Sequence, residues 1–327
     1  MGSVRRAARR LIERLAALAG LPLAAAIEPL LRRGGRRAGV VLLYHRIGER
    51  AGDPDGELNP ALPARLFRAQ LRHLARRYRP VPVSRLRAAA TDRRPGERFP
   101  VAVSFDDDFA EHVGYALPCL RDAGLPGAFF LTGAALDGPA EFWWDTLQRA
   151  VDAGMDPAEA LGGDPGGPDP RPLHRAAAAI EAMPGEERAA IHERLARRAG
   201  PAPPDAGLRA QAVSQLAAAG QEIGFHTLRH DRLPELDDGS LASALRDGRR
   251  VVAEAAGAPV AMLAYPHGAA DRRVAQAARD AGFAAAFTVR PEAVTPESDA
   301  LLLGRVEAPF DSVGRLALRL VRTLAGL

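Results

Sequence analysis

The chain has 327 residues, and all 44 of its basic residues are arginine, against 40 acidic ones. The missing lysine excludes a Schiff-base nucleophile, a pyridoxal phosphate anchor, a phosphate-loop lysine and a kinase strand lysine, while arginine, permanently protonated, clamps anions but makes a poor base. A hydrophobic fraction of 47% with 26% charged residues excludes a disordered chain, and the single cysteine, Cys119, permits neither an internal disulfide nor a multi-cysteine zinc cluster.

Residues 1–38 form a basic arm: nine arginines against Glu13 and Glu28 give it a charge of +7 and leave the remaining residues at −3. Its longest apolar stretch, Leu15 to Ile27, is thirteen residues and contains Gly20 and Pro22, short of the roughly 18 that a spanning helix needs. The first reading is an amphipathic helix facing a membrane surface or a partner, which implies peripheral membrane association; the second is an export signal and the third a solvated extension. Cytoplasmic or peripheral-membrane placement is favoured over export. Nucleic acid is disfavoured, because no basic stripe or aromatic interleaving continues beyond the arm. The oligomeric state is open.

From Val40 onward, short runs rich in Val, Leu, Ile and Phe alternate with alanine-rich segments of helical period, the pattern of strand-helix units around a parallel sheet. The expected strands are Val40–Tyr44, Val101–Phe105, Gly127–Leu131, Glu222–Phe225, Val260–Tyr265, Ala284–Val289 and Leu301–Val306. The expected helices are Pro63–Tyr78, Val113–Ala123, Ser240–Ala256, Asp271–Ala281 and Ser312–Leu324. The order breaks at residues 137–220, which read as a helical insertion with helices near 173–183, 185–199 and 207–219, an aromatic patch at Phe142-Trp143-Trp144 and a Gly/Pro-rich mobile loop from Leu161 to Pro172. The expected organisation is therefore the basic arm, 1–38, followed by one barrel-like domain, 39–327, that carries the insertion 137–220. Seven strands with covering helices predict an α/β barrel or a doubly wound sheet.

In an α/β barrel, functional groups collect at the C-terminal ends of the strands. Four expected strands end in ionisable residues: Tyr44-His45-Arg46, Phe105-Asp106-Asp107-Asp108, Phe225-His226-Thr227-Leu228-Arg229-His230 and Tyr265-Pro266-His267. Consecutive aspartates in a partly buried place repel, and a cation removes that cost; the alternative is that they cap the next helix. The four-residue spacing of His226 and His230 puts both imidazoles on one side of a helical turn and suits a divalent cation. Two histidines and a carboxylate favour zinc first, then iron, cobalt or nickel, over calcium or magnesium.

These residues resemble the polysaccharide deacetylases related to the chitooligosaccharide deacetylase NodB, carbohydrate esterase family four. Ser104-Phe105-Asp106-Asp107-Asp108 is similar to the family's TFDDG motif, His226-Thr227-Leu228-Arg229-His230 matches H[ST]xxH in full, and Ala264-Tyr265-Pro266-His267 matches RxPY in part. The resemblance spans about residues 40–306 and implies a distorted (β/α)7 barrel that removes acetyl groups from N-acetylated sugars of a polysaccharide or its precursor with a divalent metal. It implies Asp106 as general base, Asp107, His226 and His230 as metal ligands, and Thr227 as a residue orienting them; Tyr265, Pro266, His267 and Arg305 are the substrate or oxyanion candidates, with a backbone N–H near His267 as oxyanion donor.

Three departures stand out. Asp108 replaces the motif glycine, Ala264 replaces the arginine that pairs with the base, with Arg305 as its substitute, and Leu303-Gly304-Arg305 lacks the histidine of the late LxH motif. His45, in a segment resembling the exopolysaccharide-type branch of the family, is the candidate acid and His267 its rival. Trp143 and Trp144 suit either a sugar subsite or anchors of the insertion, while His73, His174 and His192 carry no expected role in the chemistry and His112 opens the helix after the aspartates. The alternatives to a sugar deacetylase are an amide hydrolase acting outside sugars on the same site, and a metal- and glycan-binding protein without turnover.

Overall fold

A computed structural model describes residues 19–327; residues 1–18 of the basic arm lie outside the described residues. Residues 19–33 are helical (α1). The chain then forms β1 (Val40–Tyr44), β2 (Ile47–Gly48), β3 (Leu62–Pro63), α2 (Ala64–Arg77), β4 (Arg79–Pro80), α3 (Leu86–Thr91), β5 (Pro100–Asp106), α4 (Leu117–Ala123) and β6 (Gly127–Leu131). Four helices follow, α5 (Trp143–Asp152), α6 (Pro172–Glu181), α7 (Gly185–Ala199) and α8 (Ala210–Ala218), before β7 (Glu222–Phe225). The rest is α9 (Asp238–Arg246), α10 (Arg249–Ala256), β8 (Met262–Ala264), α11 (Arg272–Asp280), β9 (Ala285–Phe287), β10 (Val306–Glu307) and α12 (Val313–Ala325).

The main sheet runs β10-β1-β5-β6-β7-β8-β9 with every pair parallel, and β4 adds to one end of β5. One chain segment joins its two edges: Leu303 bridges Phe287 of β9, and three residues on Val306 pairs with Leu42 of β1. The outcome is the expected seven-strand α/β barrel, with its seam at this last, shortest strand. Strand parity sorts the side chains. Leu42, Val103, Phe105, Phe129, Leu263 and Tyr265 point to the outer core under the helices. Val41, Ala102, Phe130, Ala264, Phe287 and Leu303 fill the barrel interior.

Several boundaries depart from the sequence reading. The expected helix 240–256 is two helices, because Gly248 takes φ 85° after Asp247 and interrupts the ladder. The expected strand 301–306 pairs only through Leu303 and from Val306 onward. In the 137–220 segment a core of its own forms from Trp143 to Leu195, whereas Val213 and Leu216 of α8 lie in the main core. By packing, α8 is a barrel helix. The Gly/Pro stretch is irregular over 163–171, and its arginines tie it down: Arg171 donates to the Pro54 carbonyl and pairs with Asp169, and Arg175 pairs with Asp164. Cys119 is buried in the main core, as a packing residue.

Candidate active site

Strand β5 ends at Asp106, and the backbone turns sharply at Asp107, which has φ 69°. Thr227, His230 and His267 are the other non-glycine residues with positive φ among the described residues. All four lie at the ends of β5, β7 and β8. Such conformations cost about 1–3 kcal/mol each and persist only where surrounding structure imposes them. His226 and His230 therefore converge through a turn with two left-handed residues, and not on the helical turn that their spacing suggested. Gly268, after His267, has φ 64°, and a Cβ there would stand 2.4 Å from Val289.

The turn places Asp107 Oδ1 3.5 Å from His226 Nε2 and 3.6 Å from His230 Nε2, and the two Nε2 atoms 3.2 Å apart. Ligand atoms bonded tetrahedrally to zinc at about 2.1 Å stand about 3.4 Å from one another, so the triangle fits a small divalent cation. Asp107 Oδ1 is buried and has no hydrogen-bond partner. His226 Nδ1 donates to the Ala264 carbonyl at 2.8 Å, which leaves Nε2 a bare lone pair facing the cluster. Burial pushes the His226 imidazole down to about 4, and burial with His226, His267 and His45 nearby pushes His230 well below its usual value. Both stay neutral, as metal ligation requires.

Asp106 has a different environment. Arg305, fully buried, donates to both of its oxygens at 2.6 and 2.7 Å, and its Nε donates to the Thr288 carbonyl. Burial alone would raise the Asp106 carboxyl, but Arg305, His226 and His45 together hold it below the ordinary value. The guanidinium enters from Arg305, just before β10, standing inside the barrel where the motif arginine is replaced by Ala264. For Asp107, burial and the charges of Asp106, Asp145 and Asp108 all act upward, and its carboxyl lies well above the usual range.

His45 continues the inward parity of Val41 and Leu43 and lines a cavity of about 230 Å³ with Asp106, Asp107, His226, His230 and His267. Burial lowers its imidazole, against the pull of Asp106 and Glu307. His267 Nδ1 lies 3.0 Å from Glu181 Oε1, at the end of α6, and Arg232 donates to the same oxygen at 2.9 Å. The insertion thus roofs the site. Trp143 and Trp144 line this cavity and also sit in the insertion's core, with Trp144 edge-on to His230 at 4.8 Å.

Four expected roles are corrected. Tyr265 alternates outward with Leu263, is fully buried, and donates its hydroxyl to the Leu301 carbonyl at 2.7 Å, so it faces no substrate. Pro266 is buried and supports the turn that sets His267. Arg305 has no exposed surface to offer a substrate, since the Asp106 carboxylate occupies its fork. Thr227 Oγ1 bonds nothing, and the Ala264 carbonyl orients His226 instead. The Gly268 N–H is spent on the Tyr265 carbonyl, which narrows the expected oxyanion donor to the N–H of His267 itself.

Two contributors escaped sequence reading. The His112 Nε2 is 3.1 and 3.3 Å from the Asp107 and Asp106 carbonyls. Carbonyls only accept, so Nε2–H donates and clamps the aspartate turn from beneath. Asp108 does not cap the next helix: it accepts from Thr132 N, Thr132 Oγ1 and Gly133 N, strapping the turn to the end of β6.

Residues 190–286, which include His226 and His230, match the family model "Polysaccharide deacetylase". No curated protein matches the chain. Among solved structures, the Streptococcus pyogenes deacetylase PplD in complex with acetate is similar with a TM-score of 0.58 at 15% identity, covering 86% of this chain and 98% of that one. IcaB from Ammonifex degensii gives 0.55 at 20% identity, covering 88% and 98%. The BpsB deacetylase domain from Bordetella bronchiseptica gives 0.52 at 16%, covering 83% and 96%. At these identities the likeness speaks for the fold, the NodB-like barrel. The family match covers the histidine motif and 97 of the 327 residues, so in that segment and in its fold the chain is similar to polysaccharide deacetylases.

Proposed function

We propose that this protein removes acetyl groups from N-acetylated sugars of a polysaccharide or its lipid-linked precursor, using a divalent metal held by Asp107, His226 and His230. One observation carries the reading: adjacent carboxylates, one neutralised by Arg305 and one left without a cation, share a cavity with two neutral imidazoles. The donor set of two nitrogens and one oxygen suits zinc, with iron, cobalt or nickel as alternatives. A metal so placed supplies Lewis acidity toward the acetyl carbonyl and toward water. Asp106, kept ionised by Arg305, takes the proton of the attacking water. His45, inward on the strand beside Asp106, gives a proton to the leaving amine nitrogen as the carbon–nitrogen bond breaks and acetate departs. His267 is held on Glu181 and keeps the roof of the cavity in place.

Acetate release from defined acetylated oligosaccharides, with each metal added back to chelated protein, tests the reading. Asp106→Asn is expected to abolish release while retaining bound metal. Turnover in that variant would remove Asp106 as base, and metal binding without release from any glycan would point to an amide substrate outside sugars or to a binding protein.

A further inference from the structure

The first described helix has two unlike sides. Its inward side is built from Gly20, Ala24 and Glu28. A Cβ on Gly20 would stand 2.3 Å from the Gly314 carbonyl oxygen, so α1 and α12 touch backbone to backbone. Ala24 packs on Ala317 and Val321. Glu28, the sole acid of residues 19–38, is 1% exposed and pairs with Arg77 at 2.7 Å and Arg32 at 3.4 Å. These contacts fix α1 on the barrel.

The outward side carries no exposed charge from residue 19 to residue 31, and Leu21, Leu23 and Leu30 are 43%, 49% and 62% exposed. The chain on either side of it is basic: Arg32, Arg33, Arg36 and Arg37 follow it against Glu28 alone, and by sequence Arg5, Arg6, Arg9, Arg10 and Arg14 precede it with only Glu13 in opposition; on the neighbouring α12, Arg315 pairs with Asp311, while Arg319 and Arg322 have no acid in that helix. No helix of the described residues is long and apolar enough to cross a membrane.

We infer that the outward face of α1, with its flanking arginines, docks onto an anionic lipid bilayer. Exposed leucines flanked along the chain by arginines match an interfacial helix, whose apolar face enters the acyl boundary while the cations meet lipid phosphates. A second copy of the same face is disfavoured by charge, because an isologous contact would set arginines against arginines. Gly20 meets Gly314 at the start of α12, and Arg36 reaches the Ala325 carbonyl at its far end, so α1 lies along the whole length of that helix on the side of the barrel.

This inference stands apart from the reaction chemistry, and its test reads binding alone. The full chain is floated with vesicles of phosphatidylcholine, or of phosphatidylcholine mixed with phosphatidylglycerol. Flotation is expected only with the anionic vesicles and is expected to weaken with salt. Leu23→Glu with Leu30→Glu, both at exposed positions, is expected to cut binding at least tenfold, on the order of two lost leucine insertions. Replacing arm arginines by glutamine is expected to weaken binding roughly fivefold per residue. The circular dichroism spectrum and melting temperature stay unchanged in these variants, which shows that they fold. Equal flotation with neutral vesicles, no flotation, or undiminished binding of the leucine variant overturns the inference. So does a sedimenting dimer that the leucine variant dissociates, which assigns the face to a second copy.

Discussion

The two sides of the site differ by one residue in sequence and by a full charge in compensation. On one side, Asp106 ends a regular strand and meets a guanidinium buried for that purpose. On the other, Asp107 is flipped into left-handed backbone among other acids and two neutral imidazoles, with a buried oxygen that bonds nothing. Burying a carboxylate without a partner costs several kcal/mol. The protein meets that cost itself at Asp106 and leaves it unmet at Asp107. On the proposed reading, this difference separates the base from the metal ligand.

Removing the cation should have the largest effect. Chelation, or His226→Ala, is expected to lower acetate release by on the order of 10³-fold, the rate equivalent of several kcal/mol of lost charge stabilisation, with bound metal read by elemental analysis. Full activity in metal-free protein would erase the distinction between the two carboxylates. Next is the other side: Arg305→Met leaves Asp106 buried and unpaired, with an expected loss of about 3–5 kcal/mol in denaturant unfolding. Moving the guanidinium back, with Ala264→Arg added to Arg305→Ala, should recover part of both stability and turnover, because residue 264 also points into the barrel.

A smaller effect is expected at Asp145, whose carboxyl burial pushes up to about 7. A carboxyl raised in the folded state holds its proton there more tightly than in the unfolded chain. Stability is therefore greatest below pH 4 and falls as pH rises from about 4 to about 7. In chelated protein, Asp145→Asn should flatten that fall and gain about 2 kcal/mol at pH 8, and an unchanged pH profile of the melting temperature would refute it. The smallest expected change is Glu181→Gln, which weakens a half-exposed link between the insertion and His267 and should raise KM a few-fold with little change in kcat.

Much of this arrangement was legible before any coordinates. The strands 40–44, 127–131 and 222–225 match to the residue, because apolar β-branched and aromatic runs bounded by Gly and polar turns have no good alternative. Parity, applied to the fifth expected strand, would also have placed Ala264 inside and Tyr265 outside. His112 gave no signal, since its role depends on two backbone carbonyls exposed by an unusual turn. The split at Gly248 escaped for a similar reason: a glycine in a helical pattern is compatible with either continuation or a break.

The sequence by itself pointed to the kind of chemistry, because its lysine-free, cysteine-poor composition and its strand-end clusters leave carboxylates and imidazoles as the groups available for a metal or a base, and the family resemblance already separated Asp106 from Asp107. Only the tertiary structure showed the physical difference between the two carboxylates. That depends on Arg305, 199 residues away from Asp106 along the chain, and on four left-handed residues that no local preference specifies. Charge compensation inside a barrel is set by what the closed sheet brings together, and that proximity exists only once the last strand has sealed the seam.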